Sequence, residues 1–417
     1  MRRGFGFCPN SWQDDYRLGD GCKIKHGFAF KGECMTIQDD YSLPIVVNIV
    51  NFQYTGGFRF ETTKIQRYVG AYPREYELHP GDVLLVMTCQ TPKGEILGVP
   101  GRIPRDEKSY LHNQRMGLAV LQDREALDLG FLYYLFLSSQ FNHHLFNTAT
   151  GAKILHTAPS RIEDYRFARP QVETQRRIAS ILSAYDDLIE NNTRRIKILE
   201  EMAQMIYREW FVNFRFPGHE NVKMVESELG PIPEGWSVSK VTNLLKRHAA
   251  GKVYKESDVS QVGAVPVVDQ SRDEFLGFHD ETPDHNANSE HPIAIFGDHT
   301  CKMRLMITPF SIGPNVVPFT SQTRKPMAYV FFLVRGLVST HEYKRHWTEL
   351  TNKQVVVSTD ALATRFSEAV TPTLALSESL MRLNINLRKT RDFLLPKLIS
   401  GEVSVEAAEE AVLEAAG

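Results

Sequence analysis

The chain has 417 residues, which is long enough for two or three domains, and its 42% hydrophobic and 24% charged content is ordinary for a soluble globular protein. No segment reaches the roughly 18 apolar residues of a membrane span, and MRRGFGFCPN lacks the apolar core of a signal peptide, so we expect a cytoplasmic protein. The net charge of −2 does not indicate a nucleic-acid binder. The acidic residues at 401–417 are interpreted as a solvated tail.

The cysteines are odd in number, widely spread and never in a C-x-x-C pair. This pattern predicts reduced thiols and no structural zinc site for Cys8, Cys22, Cys34, Cys89 and Cys301.

The first globular segment, about residues 11–170, has a mixed pattern. Short strands such as DVLLVMT (82–88) alternate with glycine and proline turns, and LGFLYYLFLSSQFNHHLF forms an apolar helix-like run near its end.

A long helical pattern follows, beginning ETQRRIASILSAYDDLIENN, with no glycine or proline before Pro217. Spacings of four and three predict a coiled-coil seam of Ile178, Leu182, Tyr185, Ile189, Asn192, Ile196, Leu199, Ala203, Ile206 and Trp210. A helix over about 175–212 would be ~55 Å long, longer than one compact domain is wide. Asn192 is polar at a seam position, where a buried amide costs stability but fixes the register through a particular partner.

The second half repeats this order. PGHENVKMVESELGPIPEGW (217–236) is a linker, and 228–370 again looks mixed, with HPIAIFG (291–297) as a strand and MAYVFFLVRG as an apolar run. GFAFK (27–31) and GKVYK (251–255) share glycine, an aromatic residue and lysine at equal spacing, and LHPGDVLLVMT corresponds to SEHPIAIFGDHT. The chain therefore reads as two halves of one design.

A second stripe with the same spacing lies near the C-terminus: Leu376, Leu380, Leu383, Leu387, Thr390 and Leu394. Two apolar seams in one chain can cover each other. Length allows parallel or antiparallel pairing, and we favour antiparallel. The alternative is two unrelated core helices in separate domains.

The motifs of catalysis are absent from the sequence. There is no G-x-x-x-x-G-K-[ST] phosphate loop, no G-x-G-x-x-G after a strand, and no target-pocket tetrapeptide of an adenine methyltransferase. HEYKRH (341–346) spaces its histidines one residue too far for an H-E-x-x-H zinc site, and His279, His285 and His291 are interpreted as solvated loop residues.

Several blocks resemble the specificity subunit of type I restriction-modification enzymes. They are residues 169–218, LGPIPEGW (229–236), LRKTRDFLLPKLISGEV (387–403), FGDHTCK (296–302) and TGAKILHTAPSRIEDYRFARP (150–170). The resemblance covers nearly the whole chain in the expected order.

The resemblance implies an α+β fold in which two similar mixed α/β target-recognition domains, related by a pseudo-twofold repeat, are separated by two long antiparallel coiled-coil-like helices. It implies a first target-recognition domain at 1–170, a central conserved helix at 171–216, a linker at 217–235, a second target-recognition domain at 236–370, and a C-terminal conserved helix with the acidic tail at 371–417.

The family resemblance also implies the function and the partners. Each domain would read one half of a bipartite double-stranded DNA site, while the helices set the spacing and dock two modification (methyltransferase) subunits. Restriction or motor subunits would complete the complex. The chain itself would be non-catalytic and hold no cofactor, since S-adenosylmethionine, ATP and Mg would belong to partner subunits, where the base is flipped and methylated.

DNA-reading candidates are basic and amide residues near equivalent turns, since Arg and Lys suit guanine or phosphate and Gln suits adenine. In the first domain they are Lys23, Lys25, Lys31, Arg59, Lys64, Arg67, Gln90, Lys93 and Gln114. In the second domain they are Lys252, Lys255, His299, Lys302, Arg304, Arg324 and Lys325.

Three other interpretations stay open at this point. The chain could be a self-contained DNA methyltransferase or nuclease with an unrecognised site, a structural adaptor without DNA preference, or the subunit of a modification-only assembly. The recognised bases do not follow from any motif.

Overall fold

The computed structural model describes residues 12–38, 40–60, 65–91, 93–151, 153–260, 262–270, 275–340 and 344–416. The chain forms two compact units. Unit 1 contains the described residues up to Ile189 and those from Asn386 onward, and unit 2 contains Glu190–Ile385. Each unit combines a mixed part of strands and short helices with segments of the long helices. This agrees with the α+β fold with two similar halves that the sequence predicts.

The described part of unit 1 contains thirteen strands, and the pairing of β1 with β13 brings together the two ends of its mixed part. The strands are β1 (Gln13–Arg17), β2 (Cys22–His26), β3 (Met35–Thr36), β4 (Ile45–Val47), β5 (Arg67–Tyr68), β6 (Glu77–Leu78), β7 (Val83–Val86), β8 (Thr88–Cys89), β9 (Pro100–Arg102), β10 (Tyr110–His112), β11 (Met116–Leu121), β12 (Leu155–His156) and β13 (Arg166–Arg169).

Among the described residues, the rest of the mixed part of unit 1 consists of two larger sheets, one further strand pair and three short α-helices. An antiparallel sheet has the order β2-β11-β7-β9, a mixed sheet has the order β3-β5-β4-β10-β6, and β12 pairs with β8. The helices are α1 (Leu129–Phe136), α2 (Ser139–Thr148) and α3 (Pro159–Glu163). The predicted strand DVLLVMT is β7, and all four of its residues are buried together with most of α1.

Unit 2 has the same plan with shorter connections. Its strands are β14 (Met224–Val225), β15 (Ile232–Pro233), β16 (Ser237–Lys240), β17 (Leu245–Arg247), β18 (Val265–Val268), β19 (Gly277–His279), β20 (Ile293–Gly297), β21 (Met303–Met306), β22 (Ser311–Ile312), β23 (Val316–Ser321) and β24 (Gln354–Val357). Its short helices are α5 (Met327–Val334) and α6 (Trp347–Asn352).

The main sheets of the two units have matching strand orders. The closing pair β1·β13 corresponds to β16·β24, and the antiparallel order β2-β11-β7-β9 corresponds to β17-β23-β20-β21. The second sheets share an antiparallel pair beside a parallel one, β5-β4-β10 in unit 1 and β19-β18-β22 in unit 2. This correspondence confirms the internal repeat that the sequence echoes predict.

Each half of the chain ends its mixed part in a long helix, α4 (Val172–Tyr207) after β13 and α7 (Asp360–Ser400) after β24. Helix α4 agrees closely with the predicted one, and a short π-helical turn at Arg208–Val212 follows it. Helix α7 begins eleven residues before position 371, where the sequence placed the boundary of the second domain. The extra turns are stabilised by Phe366 and Val370, which are fully buried in the core of unit 2.

In unit 1, α4 and α7 are antiparallel. Ile178, Leu182 and Tyr185 of α4 belong to one buried cluster with Leu394 and Leu398 of α7. Asp186 accepts a hydrogen bond from Arg391 Nη1 at 2.5 Å and another from the Tyr134 hydroxyl at 2.7 Å. The predicted seam residues Ile189 and Leu387 are half-buried.

In unit 2, hydrogen-bonded asparagine side chains join α4 and α7, and they supply the polar partner that the sequence predicts for Asn192. Asn192 Nδ2 donates to Asn384 Oδ1 at 2.9 Å, and Asn384 Nδ2 donates to the Thr193 hydroxyl at 3.2 Å. Both asparagines are buried, so the hydrogen bonds to Asn384 and Thr193 satisfy polar atoms that lie away from solvent. Leu380 is buried beside them, while Ile196, Leu199 and Ile206 are half-buried.

Two predicted seam residues of α7 are wrong. Leu376 and Leu383 are 41% and 47% exposed, and the buried positions are instead Ser377, Leu380 and Asn384. The seam of α7 contains polar residues, so the leucine spacing that guided the prediction follows a neighbouring face of the helix.

The acidic C-terminal end is not a solvated tail, because it forms helix α8 (Val405–Ala416) in unit 1. Val405 and Ala408 are buried in the core of that unit. Arg177 of α4 donates to Glu406 at 2.6 Å and to Glu409 at 2.7 Å. The glutamates therefore hold α8 against the first turns of α4.

Candidate nucleic-acid interface

The two glycine-containing loops that the sequence paired occupy equivalent places in the two units. In unit 1 the loop follows β2 and Phe28 forms a parallel bridge with Asn113, which follows β10. In unit 2 the loop follows β17 and Val253 forms a parallel bridge with Ile312 of β22. Each loop thus passes from the first sheet of its unit to the second sheet.

In unit 1 this loop is packed through aromatic rings. Phe28 lies against Phe30 and Tyr76, with ring centroids 5.1 and 5.2 Å apart. Lys25 lies over the Tyr76 ring and pairs with Glu75 at 3.3 Å. Gly27 is required here, because a Cβ atom would lie 2.2 Å from the Asn113 carbonyl oxygen.

In unit 2 the corresponding loop is held by a charged network. The Tyr254 and His279 rings stack at 4.3 Å, and the Tyr254 hydroxyl donates to Glu281 at 2.9 Å. Lys252 donates to the same carboxylate at 2.8 Å, and this hydrogen bond raises the pKa of Lys252 and lowers the pKa of Glu281. His279 and His285 are buried, contrary to the solvated loop expected from the sequence.

Three predicted DNA-reading residues have structural roles that take them away from the surface. Arg67 is 2% exposed and donates to the Leu43 carbonyl at 2.9 Å. Arg304 pairs with Glu378 of α7 at 3.4 Å, and both side chains are nearly buried. Lys325 donates to Asp360 at 2.7 Å at the start of α7, and it lowers the pKa of that carboxyl. These three predictions are corrected because each side chain is committed to a contact within its own unit.

The remaining candidates are accessible to different degrees. Lys23 is exposed but pairs with Glu163 at 3.1 Å. His299 and Lys302 are half-buried, and Lys64 lies outside the described residues. The other exposed candidates are Lys31, Arg59, Gln90, Lys93, Gln114, Lys255 and Arg324. Their contact with DNA stays a prediction.

The local charge differs between the candidate loops. Between positions 251 and 291, acidic residues outnumber Lys and Arg about three to one. Such surroundings repel phosphate and retain Lys252 in its ion pair with Glu281. The electrostatics therefore favour other parts of unit 2 over this loop as phosphate contacts.

A second pair of equivalent loops was missed at the sequence level. In unit 1, Thr150 and His156 exchange two backbone hydrogen bonds of 2.9 and 2.8 Å, and His156 lies on β12 beside Thr88. In unit 2, Thr340 donates to the His299 carbonyl and the backbone N–H of His346 donates to the Asp298 side chain at 3.0 Å. Threonine and histidine have the same spacing in both places, which is the signal that could have revealed the pair.

Within the described ranges, no three His, Cys, Asp or Glu side chains are grouped so that they could hold a metal ion. Cys22, Cys34, Cys89 and Cys301 carry free thiols. None of the helices in the described part of the chain combines the length and apolar character needed to cross a membrane.

Comparison with known proteins agrees with this architecture. Residues 9–201 match the family model described as type I restriction modification DNA specificity domain. The type I restriction enzyme MjaIX specificity subunit of Methanocaldococcus jannaschii is 24% identical over 343 residues, covering 76% of this chain and 79% of the relative. Residues 9–201 thus form a type I restriction modification DNA specificity domain, and most of the chain is similar to type I restriction enzyme specificity subunits.

A second relative and a solved structure are also similar to this chain. The MjaVIII specificity subunit of the same archaeon is 30% identical over 131 residues, which is 31% of this chain and 30% of the relative. A crystal structure of the type I restriction-modification S subunit from M. genitalium matches the fold with a TM-score of 0.58. That match has 15% identity and covers 93% of this chain and 96% of the other, so it supports the specificity-subunit fold throughout both units.

Proposed function

We propose that each unit of this specificity subunit reads one half of a bipartite DNA site, and that α4 and α7 set the distance between the half-sites. The observation that carries the proposal is the matching strand order of the four-stranded sheets and the closing strand pairs of the two units. One chain that contains the same fold twice can present two similar reading surfaces to two stretches of DNA. Sequence would be read by side chains on base edges, while phosphate contacts fix the position.

The helices offer a reason to expect two copies of one partner. Leu188 of α4 and Leu376 of α7 lie the same number of residues after the start of their helices, and so do Met205 and Phe393. All four side chains are exposed, although each is large and apolar. Exposed apolar side chains at repeated positions suit two identical docking partners, which we propose to be two modification subunits.

The chain would contribute recognition and leave chemistry to its partners. The modification subunits would carry S-adenosylmethionine and methylate the flipped base, and restriction or motor subunits would use ATP and Mg. This division accords with the absence of catalytic motifs from the sequence.

The methylation pattern of a host that carries the complete system tests the proposal. We expect one methylated motif with two specified stretches separated by a fixed number of unspecified base pairs. A single uninterrupted motif, or no sequence-dependent methylation at all, would contradict the proposed function.

The docking surface has its own test. Replacing Met205 or Phe393 with glutamate should weaken retention of the modification subunits by about tenfold or more, because a charge would enter an apolar interface. Co-purification with tagged modification subunits measures this. Ile37→Glu is the matched control, since Ile37 is 74% exposed and lies in the mixed part of unit 1. Equal retention of the modification subunits by all three variants would contradict the proposal that the helices form the docking site.

A further inference from the structure

The loops joined through β8 and β12 create a rigid surface in unit 1. Leu155 and His156 pair with Cys89 and Thr88, and the N–H of Thr157 donates to the Met87 carbonyl at 2.9 Å. The His156 imidazole Nδ1 lies 3.1 Å from the Thr88 hydroxyl. The loop after β7 and the hairpin at 150–156 are therefore fixed to each other.

Helix α2 packs against the loop that follows β8. Asn142 donates from its amide to the carbonyl oxygens of Gly94 and Leu97, at 3.2 and 2.9 Å. The backbone of Gly94 is so close to α2 that an added Cβ atom would lie 2.7 Å from the Phe146 ring. We call the exposed side chains of Gln90, Lys93, Lys153 and His156 the hairpin surface.

The tip of the hairpin depends on a glycine. Gly151 has φ +104, and a Cβ atom there would lie 2.0 Å from the Ile154 carbonyl oxygen. Lys153 lies in the turn that this glycine allows, between the two hydrogen-bonded ends of the hairpin at Thr150 and His156. Because the two ends of this short turn are hydrogen-bonded to each other, the backbone at Lys153 has little conformational freedom to lose. Binding of a ligand would therefore order mainly the lysine side chain.

The charge around the hairpin surface suits an anionic polymer. Residues 138–162 contain no Asp or Glu, although the chain as a whole carries 50 of them among 417 residues. Glu95 is the acidic residue nearest Lys93 in sequence, and it accepts a hydrogen bond from the Thr91 hydroxyl, which lowers the pKa of its carboxyl. Glu95 therefore stays negatively charged beside Lys93, whereas Lys153 lies in the stretch without acidic residues and is the better placed of the two lysines for contact with phosphate.

Unit 2 has an equivalent arrangement. His299 Nδ1 donates to the Lys344 carbonyl at 3.0 Å, and Asp298 accepts from the backbone N–H groups of His346 and Trp347. Arg345 is 79% exposed between these anchored residues, with its Nε 3.9 Å from Asp298. An exposed cation thus lies beside the anchored residues in both units, at different positions relative to the threonine and histidine.

We propose that the hairpin surface of unit 1 contacts the phosphate backbone of DNA, with Lys153 as its anchoring cation, and that Arg345 has the same role in unit 2. The inference rests on the proposed function and adds a site to it. One exposed cation beside the anchored residues of each unit would bind the backbone at the half-site of that unit. Base reading would remain with other side chains of each unit.

Salt-dependent binding of the full chain assembled with its modification subunits tests the proposal. The probes are two duplexes of equal length, one carrying the motif obtained from the host methylation pattern and one of mixed sequence without it. Lys153→Gln should weaken binding to both duplexes about three- to tenfold and lower the slope of log K against log salt by about one. Arg345→Gln should do the same, and the double variant should lower the slope by about two.

Lys108→Gln is the matched control, because Lys108 is also exposed in unit 1 but follows Asp106 and Glu107 directly in an acidic turn. It should leave affinity and slope unchanged. If Lys153→Gln behaves like this control while the wild-type complex still prefers its motif, the hairpin surface is wrong and the proposed function stands. A changed methylation motif in the Lys153 variant would also overturn the proposal, since it would make Lys153 a base reader. A wild-type complex that shows no motif preference would instead refute the proposed function.

Discussion

Replacing Glu378 with alanine is expected to lower the free energy of unfolding of unit 2 by about 3 to 5 kcal/mol. The carboxylate is 6% exposed and accepts contacts from Arg304 at 3.4 Å and from the Thr308 hydroxyl at 3.3 Å. Its removal would take this carboxylate away from the nearly buried Arg304 guanidinium, which lies over the Phe275 ring. Breaking one half of a buried ion pair costs more than the pair contributes.

Urea unfolding followed by tryptophan fluorescence measures this loss, since Trp210, Trp236 and Trp347 all lie in unit 2. The double variant Arg304→Met, Glu378→Leu is the control, because replacing both charges by apolar groups should bring stability back to within about 1.5 kcal/mol of the wild type. The same variant should keep its DNA preference. A loss of motif preference in the double variant would restore Arg304 as a DNA reader and contradict its structural role.

Replacing Phe366 with alanine is the second large effect, again about 3 to 5 kcal/mol of destabilisation. The ring is fully buried where α4, α5 and α7 meet, with its centroid 5.9 Å from Tyr207 and 5.6 Å from Phe332. It also lies 5.2 Å from the Phe211 ring. Truncation would open a cavity that rings from three different elements cannot fill by a small shift.

Phe393→Ala provides the comparison for the same chemical change on the same helix. Phe393 is 61% exposed, so its truncation should cost less than about 1 kcal/mol. Thermal and urea unfolding of both variants would show the difference. Similar small effects in the two variants would mean that the start of α7 is not packed in the core of unit 2.

The long helices and the repeat were predictable from the sequence because their signals are local or periodic. The spacing of Ile178, Leu182 and Tyr185 reports one buried face, and an isolated asparagine in that face implies a polar partner. The partner itself was not predictable. Asn384 and Ser377 are short polar residues, so the leucines beside them appeared to be the better seam.

The roles of charged side chains were less predictable, because an ion pair depends on contacts that are distant in sequence. Arg304 and Glu378 are separated by 74 positions. Lys325 pairs with Asp360, which the sequence-based boundary at position 371 assigns to the second domain instead of the long helix. Exposed cations such as Lys93 give no such long-range information, since a solvated lysine and a phosphate contact have the same local sequence. The threonine–histidine spacing in both halves was a readable signal, because it recurs at equivalent loops.

The central claim is that each unit reads its own half of the DNA site. Exchanging the mixed part of unit 2, from β16 to β24, for that of a relative with a different methylation motif tests it most directly. Sequencing the methylated DNA of the host should show one half of the motif changed, with the other half and the spacing retained. A change in both halves, or a motif identical to that of the wild type, would contradict the claim.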